Sequence, residues 1–378
     1  MNRYTGYVFR LSVALLVSSL VAHASSPDSS EPRVPSHELR FRFQPGDKYS
    51  LASVTEQKIT RVIDGNESST EQTIHLECGM DVEEVDENGN AWTRYTYKRV
   101  IMKLRSKDQK LDFDSDANEP KTPILAAPFK LALGESIYLR ITPQGHIEKI
   151  NGLLSLITYA KGKMGSFPGA DTVSQNIDRQ FDEPEVRREL EDQFAVFPDS
   201  NNEETTWTRK EVLSSADLSY GKADQADEVN IVFENTFRLN TDKSGKGGIS
   251  VVDVNLIVRP EVARAANTRT SDQSVVAYTK AVREISGDGA GQIEIENTTG
   301  LIINSKMTQD MVEKVKLVTK SQMLRPTPGP EPIITHEVTT FQMTKIADGK
   351  PAQPADANEK GAPSTWLPST KLGADRAG

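Results

Sequence analysis

The short stretch "LDFDSDANEP" places Asp112, Asp114 and Asp116 at alternate positions, the spacing with which an EF-hand calcium loop begins. Such a loop needs glycine where Ala117 stands and a bidentate glutamate where Pro123 stands. The stretch therefore reads as an acidic strand end running into a loop. "VDENGN" carries Asp86, Asn88 and Asn90 with the same look, but an Asn-Gly pair between two strand patterns marks a hairpin turn. Beyond the first segment the histidines are His37, His75, His146 and His336, each isolated, so zinc has no local motif. No G-x-S-x-G elbow is present, although a Ser-His-Asp arrangement assembled in space stays open. Gly287-Asp288-Gly289-Ala290-Gly291 lacks the lysine and hydroxyl of a phosphate loop and reads as a turn. The single cysteine, Cys78, alternates with Leu76 and Met80 and reads as a buried structural thiol. Asn66 and Asn297 head glycosylation sequons. These residues assign no catalytic group, no metal ligand and no cofactor, and the chain is expected to be non-enzymatic.

The 378 residues suffice for two domains with cores of their own. Arg3 and Arg10, the apolar run Leu11 to Val21, and Ala22-His23-Ala24 form the three parts of a secretory signal peptide, with cleavage expected after Ala24. The run is short for a membrane span, so no transmembrane span is expected after cleavage. Loss of two arginines and no acid takes the net charge from −9 to −11. An acidic surface without a basic stripe excludes nucleic acid as a partner. The expected location is periplasmic or extracellular.

The elements that must carry any site follow from periodicity. Residues 25–37 are a Ser/Pro linker and 347–378 an Ala/Pro/Gly/Lys tail, in which Trp366 and Leu367 are the only bulky pair; both segments read as disordered. Between them, 38–150 and 199–346 read as two antiparallel β lobes, flanking amphipathic helices over 151–198. The fold class is mainly β (α+β). "EVNIVFENTFRL" alternates with period two, "ISVVDVNLIV" is apolar on both faces, and "SVVAYTKAVREI" leans to strand. In "GQIEIENTTGLIINSKM" a strand breaks at Gly300 and resumes with Ile303 expected on the core side. Tyr49 and Trp207, Gly89 and Gly247, and Gly145 and Gly300 are each separated by roughly 155 residues, the constancy an internal duplication leaves. In the helical block Leu153, Leu154, Ile157 and Lys161 share a helical spacing, as do Val173, Ile177 and Phe181. Val186, Leu190, Phe194 and Phe197 form an apolar stripe after the N-cap Asp182. That stripe is the candidate ligand-binding surface, because a sheet face is the only partner available to it.

The succession "LRFRFQPGDKYSL", "DENGNAWTRYTYKRVIMKL", "GESIYLRITPQGHIEKINGL", "FPDSNNEETTW" and "TTGLIINSKM" resembles an uncharacterised family of secreted bacterial β-rich proteins, a domain of unknown function. The resemblance runs over about residues 38 to 346 and departs at "SNNEETTW", where a Gly-Asp before the aromatic would be expected. It implies an envelope location and carries no catalytic residue. The helix-covered sheet also resembles, at the level of architecture, periplasmic lipoprotein-carrier half-barrels. The function expected is binding of an apolar ligand or an envelope protein. The alternatives are an enzyme with a loop-assembled site and a ligand-free scaffold.

Overall fold

The computed structural model describes residues 39–117, 122–164, 169–199, 205–214, 229–262, 279–319 and 331–346. The expected signal peptide, linker and tail lie outside these residues, as does His37. The first strands are β1 (Lys48–Ile63), β2 (Asn66–Val85), β3 (Ala91–Ser106), β4 (Lys110–Asp114), β5 (Ser136–Ile141) and β6 (Ile147–Asn151), with helix α1 (Ala127–Ala132) before β5. Helices α2 (Leu153–Lys163), α3 (Ala170–Gln180) and α4 (Glu183–Phe194) follow. The chain then makes β7 (Thr206–Ser214), β8 (Val229–Leu239), β9 (Ile249–Val262), β10 (Thr279–Glu296), β11 (Ile302–Thr319) and β12 (Ile333–Ile346). The fold is mainly β, with α2, α3 and α4 together in the middle of the chain and α1 ahead of β5.

All strands belong to one 12-stranded sheet in the order β6-β5-β3-β2-β1-β12-β11-β10-β9-β8-β7, with β4 beside β3 off the path. The two β runs are thus halves of one antiparallel meander, joined where β1 pairs β12 from Ser50↔Ile346 to Val62↔Ile334. The free edges are β6 and β7, the strands that flank the helical block in sequence. At about 4.8 Å per strand, a flat path of this many strands would hold those edges about 48 Å apart. Yet one side chain of α4, Glu191, bonds residues of both. The sheet must therefore curl until its edges are separated by about one helix.

Period-two pairing fixes what faces the interior. Tyr49, Leu51, Ile74, Cys78, Met80, Met102, Ile137, Leu139, Phe237, Val254, Leu256, Met307 and Phe341 share the concave face and one core. The residues expected to make a turn, Gly287 to Gly291, lie inside β10. Their alternation puts Gly287, Gly289 and Gly291 inward, opposite Met311, Gln309 and Met307. A Cβ at Gly287 or Gly291 would run into the β11 backbone and the methionine beside it. Glycine is needed where adjoining strands come this close, so the run permits sharp coiling rather than chain reversal.

The quoted hairpin is also corrected in register. Ile295 pairs Ile302 whereas Glu294 pairs Asn304, a β-bulge that leaves Ile303 as the extra residue. Ile302 is consequently the buried one, 2% exposed, and Ile303 is only half-buried. In α2 the buried residues are Leu153, Leu156 and Ala160, and Leu154 points outward at 77% exposure. The expected Val173, Ile177 and Phe181 are all buried.

One end of the curled sheet is closed by glycine turns and a strap. The β5–β6 turn at Gly145 and the β10–β11 turn at Gly300 have φ of 91° and 72°. Any Cβ there would meet the Phe194 carbonyl in the first case and the Arg40 carbonyl in the second. The strap, residues 39–43, runs between these turns: Phe41 N–H donates to Pro143 O at 2.8 Å and Arg42 N–H to Thr299 O at 2.7 Å. Leu39, Phe41 and Phe43 are buried beneath it. The bulge yields a direct test. Ile302→Asp should lower stability by about 3 kcal/mol or more, since it buries an unpaired charge. Ile303→Asp should cost about 1 kcal/mol; urea unfolding of both variants showing the opposite order would refute the register.

Candidate binding site inside the curled sheet

Helix α4 fills the gap between the sheet edges and has two working faces. Asp182 takes the N-cap position and Pro184 falls in the first turn, where a missing N–H is harmless. The stripe Val186, Leu190 and Phe194, with Phe197 after the helix, is no more than 4% exposed. Phe41 of the strap meets Phe194 edge-on at 6.2 Å and Phe197 at 4.9 Å, and stacks on Phe43 at 4.6 Å. All four residues proposed to touch a ligand are thus buried, and Phe194 and Phe197 pack against the protein's own strap. Phe194 and Phe197 help close this end.

The helix also joins the edges. Glu191 Oε1 accepts from the Ile147 N–H of β6 at 3.1 Å, and Oε2 accepts from Arg209 of β7 at 3.0 Å. Arg209 also donates to the Glu191 carbonyl at 3.1 Å, and Arg187 donates to the Ile147 carbonyl. Trp207 of β7 stacks on Phe237 and donates its indole N–H to Val196 O at 3.1 Å. On β6 the Ile147 N–H and C=O, edge groups that would otherwise face water or another chain, are satisfied by the helix, while β7 is tied to it through side chains.

The remaining face of α4 looks into the concavity. Burial, reinforced by Glu185, pushes the Glu189 carboxyl up to about 7, and its field reaches Cys78, Tyr95 and Tyr97 on β2 and β3. Asp192 is pushed up to about 8 by burial and then by Glu211 of β7, whose own carboxyl is raised by burial as well. Arg188 and Arg209 offset only part of this. All three acids keep some accessible surface, so the interior here is polar and reachable, not dry packing. Cys78 is 3% exposed and burial pushes its thiol up to about 12, which makes it the inert thiol expected.

Further along the concave face the lining changes. Across β2, β1, β12 and β11 the register aligns Gln72, Gln57, Thr339 and Gln309 in one row. Toward the end of the sheet away from the glycine turns, the inward Ile59, Leu213, Phe233, Met311 and Ile333 are only half-buried. The open end retains accessible apolar side chains, together with the half-buried Arg61, Glu313 and Glu337 on the same face.

The metal-like motifs resolve into ion pairs. Asp114 and Asp116 hold Arg99 at 2.8 and 3.3 Å, and Asp112 holds Arg105 at 2.7 Å. Asp86 accepts from the Asn90 side-chain amide, from Arg140 and from the Asn90 and Asn88 N–H groups, closing the β2–β3 hairpin, which holds its carboxyl down at about 2. His146 pairs Asp199 and His336 pairs Asp310, both at 2.6 Å, while His75 is buried with its pKa lowered by desolvation. The described histidines, His75, His146 and His336, form no cluster. Among the described residues no group of three or more His, Cys, Asp or Glu side chains is placed to hold a metal ion, and no helix is long and apolar enough to cross a membrane. Glu189, Asp192 and Glu211 escaped the sequence reading because acids between apolar helix or strand positions look like a solvated face. Gln309 had a signal, a polar residue at the core parity between Met307 and Met311.

A family of unknown function, DUF6263, matches residues 88–302. The chain belongs to that family. No curated protein matches it. Among solved structures it is similar to lipovitellin, from a study of lipid–protein interactions, at 8% identity and a TM-score of 0.39, covering 82% of this chain and 26% of that one. The DUF6263 chain thus spans about a quarter of lipovitellin's length. DynF of the dynemicin pathway of Micromonospora chersina matches at 7% identity, TM-score 0.18, over 87% of this chain and 93% of that one. OccK5 of Pseudomonas aeruginosa matches at 6% identity, TM-score 0.19, over 80% and 99%. Likenesses this distant carry no functional argument, and the site is read from its own geometry.

Two measurements test that geometry. Glu191→Ala should cost about 2–3 kcal/mol, because it strands a half-buried Arg209 and frees an edge N–H. Glu183→Ala, which loses only the exposed i,i+4 pair with Arg187, should cost about 0.5 kcal/mol. Equally small losses in urea unfolding would show that the edges hold without the helix. Asp192 and Glu189 bind protons in the native state at pH values where the unfolded chain has released them. Their contribution is therefore fully present below about pH 4 and is lost as pH rises toward about 8. Asp192→Asn should flatten the decline in stability between pH 5 and pH 8; an unchanged slope would refute the desolvated placement.

Proposed function

We propose that this DUF6263 protein is an exported, non-enzymatic carrier that holds a small molecule with an apolar body inside the curled sheet, at the open end. One observation carries the reading. Ile59, Leu213, Phe233, Met311 and Ile333 face inward yet stay accessible, while Leu51, Cys78, Met80, Leu139, Phe237 and Met307 toward the closed end are below 10% exposure. A concave, mostly apolar lining with a few polar groups is how small-molecule sites are built. Export is supported by the charged, apolar and Ala-His-Ala segments of the first 24 residues. Internal duplication is supported by the matching places of the spaced glycines: Gly89 and Gly247 lie in the β2–β3 and β8–β9 turns, and Gly145 and Gly300 in the β5–β6 and β10–β11 turns.

Titration of the intact chain with the uncharged fluorophore N-phenyl-1-naphthylamine checks the carrier reading. Saturable enhancement at about one site per chain is expected. Phe233→Glu should abolish it and leave the far-ultraviolet circular dichroism unchanged. Enhancement that never saturates, or that survives Phe233→Glu, would refute an interior site.

A further inference from the structure

The row of amides across the concave face has a feature that packing does not explain. Gln72, Gln57, Thr339 and Gln309 stand side by side on four neighbouring strands and are 7, 6, 2 and 1% exposed. Three amides at core parity are costly unless each finds partners. Gln57 Nε2 donates to Glu337 Oε1 at 2.7 Å, and Thr339 Oγ1 donates to the same oxygen at 2.9 Å. Gln309 differs: neither its Nε2 nor its Oε1 has a hydrogen-bond partner among the described residues. Its cross-strand neighbour on β10 is Gly289, which supplies no side chain to fill the space beside it. Across the interior on β8, Asn235 faces inward opposite Arg209, and its buried Oδ1 likewise has no partner among the described residues.

We propose that Gln309 is the polar anchor of the carried molecule, reading an uncharged end group that both donates and accepts hydrogen bonds, such as a hydroxyl or a primary carboxamide. This rests on the carrier reading above and specifies its ligand. A side-chain amide offers two N–H donors and a carbonyl acceptor, so one partner completes it only by supplying both functions. An ammonium group only donates and would leave Nε2 unanswered. A carboxylate only accepts and would leave Oε1 unanswered, besides facing Glu337 on the adjoining row. Met311 is the next inward residue of β11 toward the open end, and its flexible thioether is suited to moving aside as the end group enters. The apolar body then lies against Met311, Ile59 and Phe233, and the polar end sits deepest.

Calorimetric titration of the intact protein with decanol, decanamide, decanoate and decylammonium tests the assignment. Decanol and decanamide should bind at least tenfold more tightly than either ion. Gln309→Met keeps the volume and removes the unanswered amide. It should weaken decanol and decanamide at least tenfold, spare N-phenyl-1-naphthylamine binding, and raise the melting temperature of the free protein. A lowered melting temperature with unchanged decanol affinity would make Gln309 a structural residue and overturn the assignment alone. Preference for either ion would overturn it as well. If the unaltered protein bound none of these probes, including the naphthylamine, the carrier reading would fall and the assignment with it.

Discussion

The fold depends on how an eleven-strand path ends. A meander of this width has two free edges, each a row of unpaired N–H and C=O groups that invites another chain. Closing the ring by direct pairing of β6 and β7 would remove the edges and leave a sealed cylinder. The protein instead inserts α4 between them, and Glu191 accepts from both sides. The helix supplies donors and acceptors that neither edge can reach on the other. Its amphipathic sequence then decides what each sector of the interior contains: the strap and core on one side, Glu189 and Asp192 on the other.

Curvature and closure come from small residues in particular places. Glycines at the β5–β6 and β10–β11 turns let the strap and α4 press directly on the backbone, which packs the closed end without voids large side chains would leave. Three inward glycines in β10 let β11 come close and the sheet coil tightly. The same substitutions of side chain by backbone leave the open half thinly lined. Stability is thereby concentrated at one end, and the other is free to keep polar and accessible groups.

Much of this was legible in the sequence. The period-two stretches, the Asn-Gly hairpin at Asn88-Gly89 and the stripe of α4 led directly to elements that exist, because local pattern and tertiary burial agree there. The failures have specific causes. The glycines of β10 look like a turn in isolation, and only a neighbouring strand at short range makes them a strand. Ile303 and Ile302 are indistinguishable without the bulge, which is a property of the pair β10–β11. The sequence does not say that Phe41, some 150 residues earlier, returns to pack against Phe194 and Phe197 of the α4 stripe.

The polar interior then takes on a definite meaning. A sheet that merely needed a stable core would place leucine or valine at Gln309, as it does at Leu256 and Val254 on the same concave face. Hydrophobic residues there would add favourable burial and remove the cost of a desolvated amide. Glu189, Asp192 and Glu211 pose the same problem in charged form, and their raised carboxyls show that neighbouring arginines answer it only partly. Polar groups that weaken the free protein on the concave face are what the proposed site for an incoming molecule requires. The clamp at the closed end is what allows the fold to tolerate them.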